Sequence, residues 1–213
     1  MTGAYDGTVR IWDARSGELR ATYAVATTRI SSVAAHPNGQ TIAVATDLGM
    51  IHFIDRATGQ SSRTLAAHPT WIQSMEYTPD GSTLLTVGRQ DHTVKLWRGA
   101  SPQPALVLTG HTGNVERATL SPDGDRIATA SVDGTARLWD ARTGELLRVL
   151  HGPVTTAAFS VTGDELLTTG PRGYVVLWKV GLDPRSPAEI AAYVAEKSPW
   201  HLVEGRLELA ASP

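Results

Sequence analysis

Between Asn114 and Leu150 the chain passes through four short stretches in which apolar and polar positions alternate or run together, each closed by turn residues. NVERATLS alternates, PDG turns, RIATAS follows, DG turns, TARLWD follows, ARTG turns, and ELLRVL closes the set. Alternation over four to eight residues, bounded by Gly, Pro and Asp, predicts strands. The turns suit their places because Gly accepts positive φ, Pro presets φ, and Asp bonds its own backbone. Four strands therefore fit into about 42 residues.

The same pattern recurs along the chain. Trp12, Trp97, Trp139 and Trp178 hold equivalent places, with Ile54 in the slot between the first two, giving steps of 42, 43, 42 and 39 residues. A second marker keeps the same period: Pro37-Asn38-Gly39, Pro79-Asp80-Gly81, Pro122-Asp123-Gly124 and the degenerate Val161-Thr162-Gly163. Two marker sets that share an irregular period mean one supersecondary unit repeated. A lone four-stranded sheet leaves both faces wet, so neighbouring units must stack face to face around an axis, as an arc of a β-propeller.

These residues bring a family into view. Gly110-His111, SPDG at Ser121 to Gly124, and SVDGTARLWD at Ser131 to Asp140 resemble, in order and spacing, the repeat of WD-repeat (WD40) proteins of bacterial type. The resemblance covers about residues 1–180 and weakens in the second unit. It implies an all-β, partial propeller of about five units, near 1–23, 24–65, 66–108, 109–150 and 151–180, the first and last incomplete. It also implies a hydrogen-bond relay within a unit, in which His111 bridges Asp133 and Ser131 and Ser131 takes the indole N–H of Trp139. The third unit keeps His68, Asp91 and Trp97, with an extra residue near Gly88-Arg89-Gln90 that obscures its serine position. The second unit has Ala26, Thr46, Leu48 and Ile54 at the four places, so three polar members became apolar together, as a packing network requires. The fifth has Arg172 at the Asp place and His151 one residue out of register, which predicts a broken relay.

Composition narrows the function. The 213 residues carry 19 basic and 21 acidic side chains, interspersed, for a formal charge of -2, which is not the footprint of a nucleic-acid binder. With no cysteine, disulfides, thiolate metal sites and thiol nucleophiles are excluded. No run approaches the roughly 20 apolar residues of a membrane span, and no signal-like start is present, so a cytoplasmic location is expected. His111, Ser131 and Asp133 invite comparison with a hydrolase triad, but the relay reading makes them structural. The innermost strands offer Glu76 and Glu116 to a channel metal, and His36, His52, His92 and His201 show no ligand spacing, so neither metal nor cofactor is expected.

What remains is surface. Carried over by position, the face that contacts partners in this family comprises Tyr5 from the first unit, Arg29, Ser31 and Asp47 from the second, Trp71, Gln73 and Gln90 from the third, and Asn114, Glu116 and Val132 from the fourth. The fifth adds Thr155, Pro153 and Pro171. Trp71 lies outside the structural tryptophan phase, and Trp, Tyr and Arg dominate binding hot spots. The expected function is a non-catalytic scaffold binding proteins or peptides, in the manner of a sensor or docking region of a larger bacterial signalling protein; a propeller hydrolase acting at the channel mouth is the alternative.

Past Lys179 the period stops. In SPAEIAAYVAEK, Ser186 caps, Pro187 takes the first helical position and Glu189 completes a capping box, predicting a helix over about 187–197. WHLVEGRLEL predicts a hairpin over about 200–209, turning at Glu204-Gly205, within an extension spanning 181–213. At the other end, the pattern opens near the close of a second strand. This predicts either the carboxyl-terminal part of a longer repeat region or a short chain whose ring closes by association with a second copy.

Overall fold

The structure is a computed structural model that describes residues 1–181 and the strand residues 200–203 and 206–209. Its five successive sheets in residues 1–180 are antiparallel. The first holds β1 (Thr2–Gly3), β2 (Thr8–Trp12) and β3 (Leu19–Ala24). The second holds β4 (Ile30–Ala35), β5 (Thr41–Thr46), β6 (Met50–Asp55) and β7 (Ser61–Ala66). The third holds β8 (Ile72–Tyr77), β9 (Thr83–Gly88), β10 (Val94–Arg98) and β11 (Leu106–Leu108). The fourth holds β12 (Val115–Leu120), β13 (Arg126–Ser131), β14 (Thr135–Asp140) and β15 (Leu146–His151). The fifth holds β16 (Thr156–Phe159), β17 (Glu165–Gly170) and β18 (Tyr174–Lys179). Within every sheet, sequence order is spatial order, the meander that short turns enforce.

Burial follows strand position. The second strand of each complete sheet is covered on both faces, so β5, β9 and β13 read as continuous runs such as TLLTVG. Outer strand β15 is mostly exposed. Each of the three complete sheets contributes one face to each of two cores, so the cores lie between sheets and not within them. Val9, Ile42, Val44 and Ile54 join the first sheet to the second, while Ile51, Phe53, Ile72 and Trp97 join the second to the third. Leu85, Leu96, Ile127 and Trp139 join the third to the fourth, and Leu138, Ala130, Val154 and Leu166 join the fourth to the fifth. Burying a Leu, Ile or Val fully is worth about 1.5–3 kcal/mol, so each sheet owes its stability to its neighbours. The innermost strands β4, β8, β12 and β16 follow one another side by side around the axis of the arc.

One buried cation ties two sheets together. Arg126, at the start of β13, donates from Nη1 to the Val180 carbonyl at 2.7 Å and from Nη2 to the Gly163 carbonyl at 3.1 Å. Its guanidinium carbon lies 5.7 Å from the centre of the Phe159 ring. The fourth sheet thus reaches across and fills the gap to the fifth.

Residues 181–213 form a separate unit. In it β19 (Trp200–Val203) pairs antiparallel with β20 (Arg206–Leu209), Trp200 opposite Leu209. The helix expected over 187–197 lies outside the described residues, as does the turn at Glu204-Gly205.

Candidate functional site

Two arrangements could serve as a functional site: the buried relay and the rim carrying the predicted face. In the fourth sheet the relay exists, but not through Ser131. Trp139 donates its indole N–H to Thr129 Oγ1 at 2.9 Å; Thr129 Oγ1 lies 2.7 Å from His111 Nε2, and His111 Nδ1 lies 2.7 Å from Asp133 Oδ2. Register explains the correction. Trp139 pairs with Ile127, so Ser131 sits four residues away along β13, about 13 Å at strand rise, whereas Thr129 on the same face is half as far. Ser131 instead donates to the Gly113 carbonyl and accepts the Asp133 N–H, both at 3.1 Å, which fixes the turn.

The third sheet repeats this with Thr86, the hydroxyl that the sequence left open: His68 Nε2 lies 2.8 Å from it, Trp97 donates to it at 2.9 Å, and His68 Nδ1 lies 2.8 Å from Asp91. Gly88 occupies the place of Ser131, and a Cβ there would collide with His68 and Asp91. In the second sheet the hydroxyl position is Val44 and not Thr46, so the exchange to apolar residues is complete: Val44 and Ile54 are buried together. The fifth sheet keeps only the Trp178 to Thr168 bond at 2.8 Å, with Arg172 at positive φ in the Asp place. The first keeps Trp12 to Thr2 at 2.9 Å.

The relay's chemistry is that of a closed network. Burial pushes the His111 imidazole below its ordinary value, and the Asp133 hydrogen bond does not restore it. Burial also opposes the Asp133 carboxylate, but hydrogen bonds from Thr135, His111 and the Thr112 N–H outweigh it and hold the group at about 2. A neutral His111 then donates from Nδ1 to Asp133 and accepts the Thr129 hydroxyl at Nε2, while the Thr129 oxygen takes the indole N–H. Thr129 and its counterpart Thr86 are both 0% exposed, so the hydroxyls placed beside a histidine like a nucleophile are closed off from solvent. Among the described residues no group of three or more His, Cys, Asp or Glu could hold a metal. Glu76 and Glu116 lie in neighbouring innermost strands, but Glu76 is raised by burial, with Arg117 and Thr119 drawing it back, and Glu116 is engaged elsewhere.

The rim is built by a repeated backbone device. Each complete sheet carries a bulge at the start of its innermost strand, between Ile30 and Ser32, Ile72 and Ser74, and Val115 and Arg117. The extra residues are Ser31, Gln73 and Glu116, so two residues oppose one and the side chain is re-aimed. Each bulge is pinned by a loop N–H: Asp47 to the Arg29 carbonyl at 3.0 Å, Arg89 to that of Trp71 at 3.1 Å, Val132 to that of Asn114 at 3.0 Å. Arg89 is therefore the counterpart of Val132, and Gln90, exposed beside it, is the inserted residue.

Side chains link these positions from sheet to sheet. Gln73 Nε2 donates to Glu116 Oε2 at 3.1 Å, and Arg89 Nε lies 4.0 Å from Glu116 Oε1. The Arg29 guanidinium lies 5.2 Å from the centre of the Tyr5 ring, which is 69% exposed. Val132 is 56% exposed, Trp71 and Asn114 are half-buried, and Ser31 Oγ and Asp47 Oδ1 are buried without a hydrogen-bond partner. Sequence reasoning passed over Arg89 and His92 on this loop. His92 has φ 55° where the other sheets place Gly7, Gly49, Gly134 and Gly173, and that substitution in a repeated glycine column was the available signal.

Comparison with known proteins fits this geometry. The family description "WD domain, G-beta repeat" matches residues 1–13, 59–98 and 102–140. In these three stretches the chain matches the WD40 repeat. It is 28% identical over 186 residues to the WD repeat-containing protein VIP3 of Arabidopsis thaliana, covering 80% of this chain and 58% of that one. It is 33% identical over 122 residues to the guanine nucleotide-binding protein subunit beta of Nicotiana tabacum, covering 53% and 32%. Among solved structures, a chain of the mitotic checkpoint complex superposes with a TM-score of 0.75 at 23% identity, covering 83% of this chain and 57% of that one, a likeness of fold. The chain spans little more than half of VIP3 and about a third of the beta subunit. These relatives are eukaryotic and lend no support to the bacterial-type resemblance. No helix among the described residues is long and apolar enough to cross a membrane.

Proposed function

We propose that this WD40-repeat chain is a non-catalytic scaffold, the docking region of a larger assembly, which binds partner proteins on the rim formed by Tyr5, Arg29, Ser31, Asp47, Trp71, Gln73, Arg89, Asn114, Glu116 and Val132. The observation that carries the reading is the repeated bulge. Three successive sheets carry a ladder irregularity at the same point, at Ser31, Gln73 and Glu116, and half-buried Trp71, two residues before Gln73, adds a large amphipathic side chain. The relatives' names point the same way: one is a subunit of a guanine nucleotide-binding protein, one carries WD repeats beside a DENN domain, and one solved neighbour is part of a checkpoint complex. Hydrolysis at the relay is disfavoured by the buried Thr129 hydroxyl. The test is affinity capture with the native chain, followed by quantitative binding of the captured protein to native, Trp71→Ala and Glu116→Gln chains. Loss of affinity with an unchanged thermal midpoint supports the reading; unchanged affinity in both variants rejects it.

A further inference from the structure

The gap that Arg126 fills between the fourth and fifth sheets has an equivalent between the second and third, and there it is open. Thr41 stands in the place of Arg126, Tyr77 in that of Phe159, Gly81 in that of Gly163, and Gly99 in that of Val180. A threonine cannot span the gap, and a cleft of about 360 Å³ results, lined by Thr41, Tyr77, Gly81 and Gly99 and also by Phe53 and Trp97. Its size is that of a small ligand pocket.

The charge in this cleft is opposite to what an arginine guest would need. None of its lining residues is acidic, and two are basic, His36 and Arg63. Arg63 lies over the Phe53 ring at 4.1 Å and reaches the Gly99 carbonyl only at 3.5 Å; it makes no salt bridge among the described residues. Its remaining guanidinium N–H groups are unspent. His36 accepts the Asn38 N–H at Nδ1 at 3.0 Å, which leaves its proton on Nε2. The ring stands edge-on to Tyr77 at 4.7 Å between centroids. Burial pushes the Tyr77 phenol up to about 12, with Arg63 drawing it back, so its O–H remains a donor at neutral pH.

We propose that this cleft is a second docking site, separate from the rim, for an acidic peptide segment of a partner protein: Arg63 and the Nε2–H of His36 hold a carboxylate while Phe53 and Tyr77 flank its apolar neighbours. A guanidinium paired with a carboxylate in a partly desolvated cleft makes strong, directional bonds. The equivalent cleft between the third and fourth sheets, about 520 Å³, mixes three carboxylates, Asp80, Asp123 and Asp125, with two guanidinium groups, Arg98 and Arg142, whereas the cleft at Thr41 is lined by basic groups without an acidic one.

The test uses the full chain and a capped Leu-Glu-Phe-Glu-Leu peptide against its Leu-Gln-Phe-Gln-Leu counterpart, with binding read by calorimetry. The glutamate peptide is expected to bind at least about tenfold more tightly than the glutamine peptide. Arg63→Gln removes that preference, and Thr41→Arg, which gives the second sheet what Arg126 gives the fourth, blocks the cleft while the thermal midpoint holds or rises. Trp71→Ala leaves peptide binding unchanged. No binding of the glutamate peptide, equal binding of the two peptides, binding that survives both Arg63→Gln and Thr41→Arg, or loss with Trp71→Ala overturns the proposal.

Discussion

Trp139 and Thr129 share a 2.9 Å hydrogen bond that closes the relay of the fourth sheet, and Ser131, two residues along the same strand face, takes no part in it. Removing the hydroxyl while keeping the shape strands two buried donors or acceptors, the Trp139 indole and His111 Nε2. Thr129→Val is therefore expected to cost about 2–4 kcal/mol, since each unpaired group carries a penalty of roughly 1–3 kcal/mol. Ser131→Ala loses only turn bonds and should cost about 1 kcal/mol. Urea unfolding of both variants checks the order; a larger loss for Ser131→Ala contradicts the relay as drawn.

The relay also sets an acid limit. Asp133 titrates at about 2 in the fold against 3.8 ordinarily, so the unfolded chain takes up this proton first. Its contribution is present in full above about pH 4 and is lost as pH falls toward 2. His111, held by burial below 6.5, acts in the same direction at higher pH: stability declines once pH drops beneath 6.5. Half-buried His52, lowered by its own desolvation, adds to that slope. Thermal melts from pH 8 to pH 3 should show a falling midpoint, and His111→Gln should flatten the portion just below pH 6.5.

Gly88 tests why the third relay tolerates an inserted residue. Alanine there would push its Cβ between His68 and Asp91, which bond at 2.8 Å. Gly88→Ala is expected to disconnect the pair and destabilise by about 1–3 kcal/mol. An unchanged denaturation midpoint would show that the loop yields instead.

Arg126 should matter far more than its exposed neighbour. Arg126→Met keeps much of the volume but loses charge-assisted bonds to Val180 and Gly163, so a cost of about 1.5–3 kcal/mol is expected. Arg148 also bonds across the gap, to the Lys179 carbonyl at 2.8 Å, but in solvent, and Arg148→Ala should stay within about 0.5 kcal/mol. Guanidinium unfolding of the two variants separates a buried clamp from a surface contact.

On the rim, Trp71→Ala is expected to weaken partner binding by about 1–3 kcal/mol while folding changes little, because truncating an interface aromatic removes a large apolar contact. Equal binding with lowered stability would return Trp71 to the packing between sheets.

The repeat, and with it the sheets, is legible in the order of residues alone. A 42-residue period of strand and turn signals is local information: alternation in NVERATLS, the strand-forming run RIATAS, and Gly at the turns each act within a few residues. The relay members His111, Asp133 and Trp139 are legible too, since their types recur at fixed places in the period. What depends on register and on the neighbouring sheet emerges only in the fold. Thr129 replaces Ser131 because an indole reaches two residues along a strand and not four, a distance that no motif spells out. Arg89 and not Gln90 is the counterpart of Val132, because a loop N–H chooses its carbonyl only once the bulge has formed. The filled gap at Arg126 and the open one at Thr41 arise from residues far apart in the chain that matter only against Phe159 and Tyr77 of the next sheet, where burial and charge are set by packing.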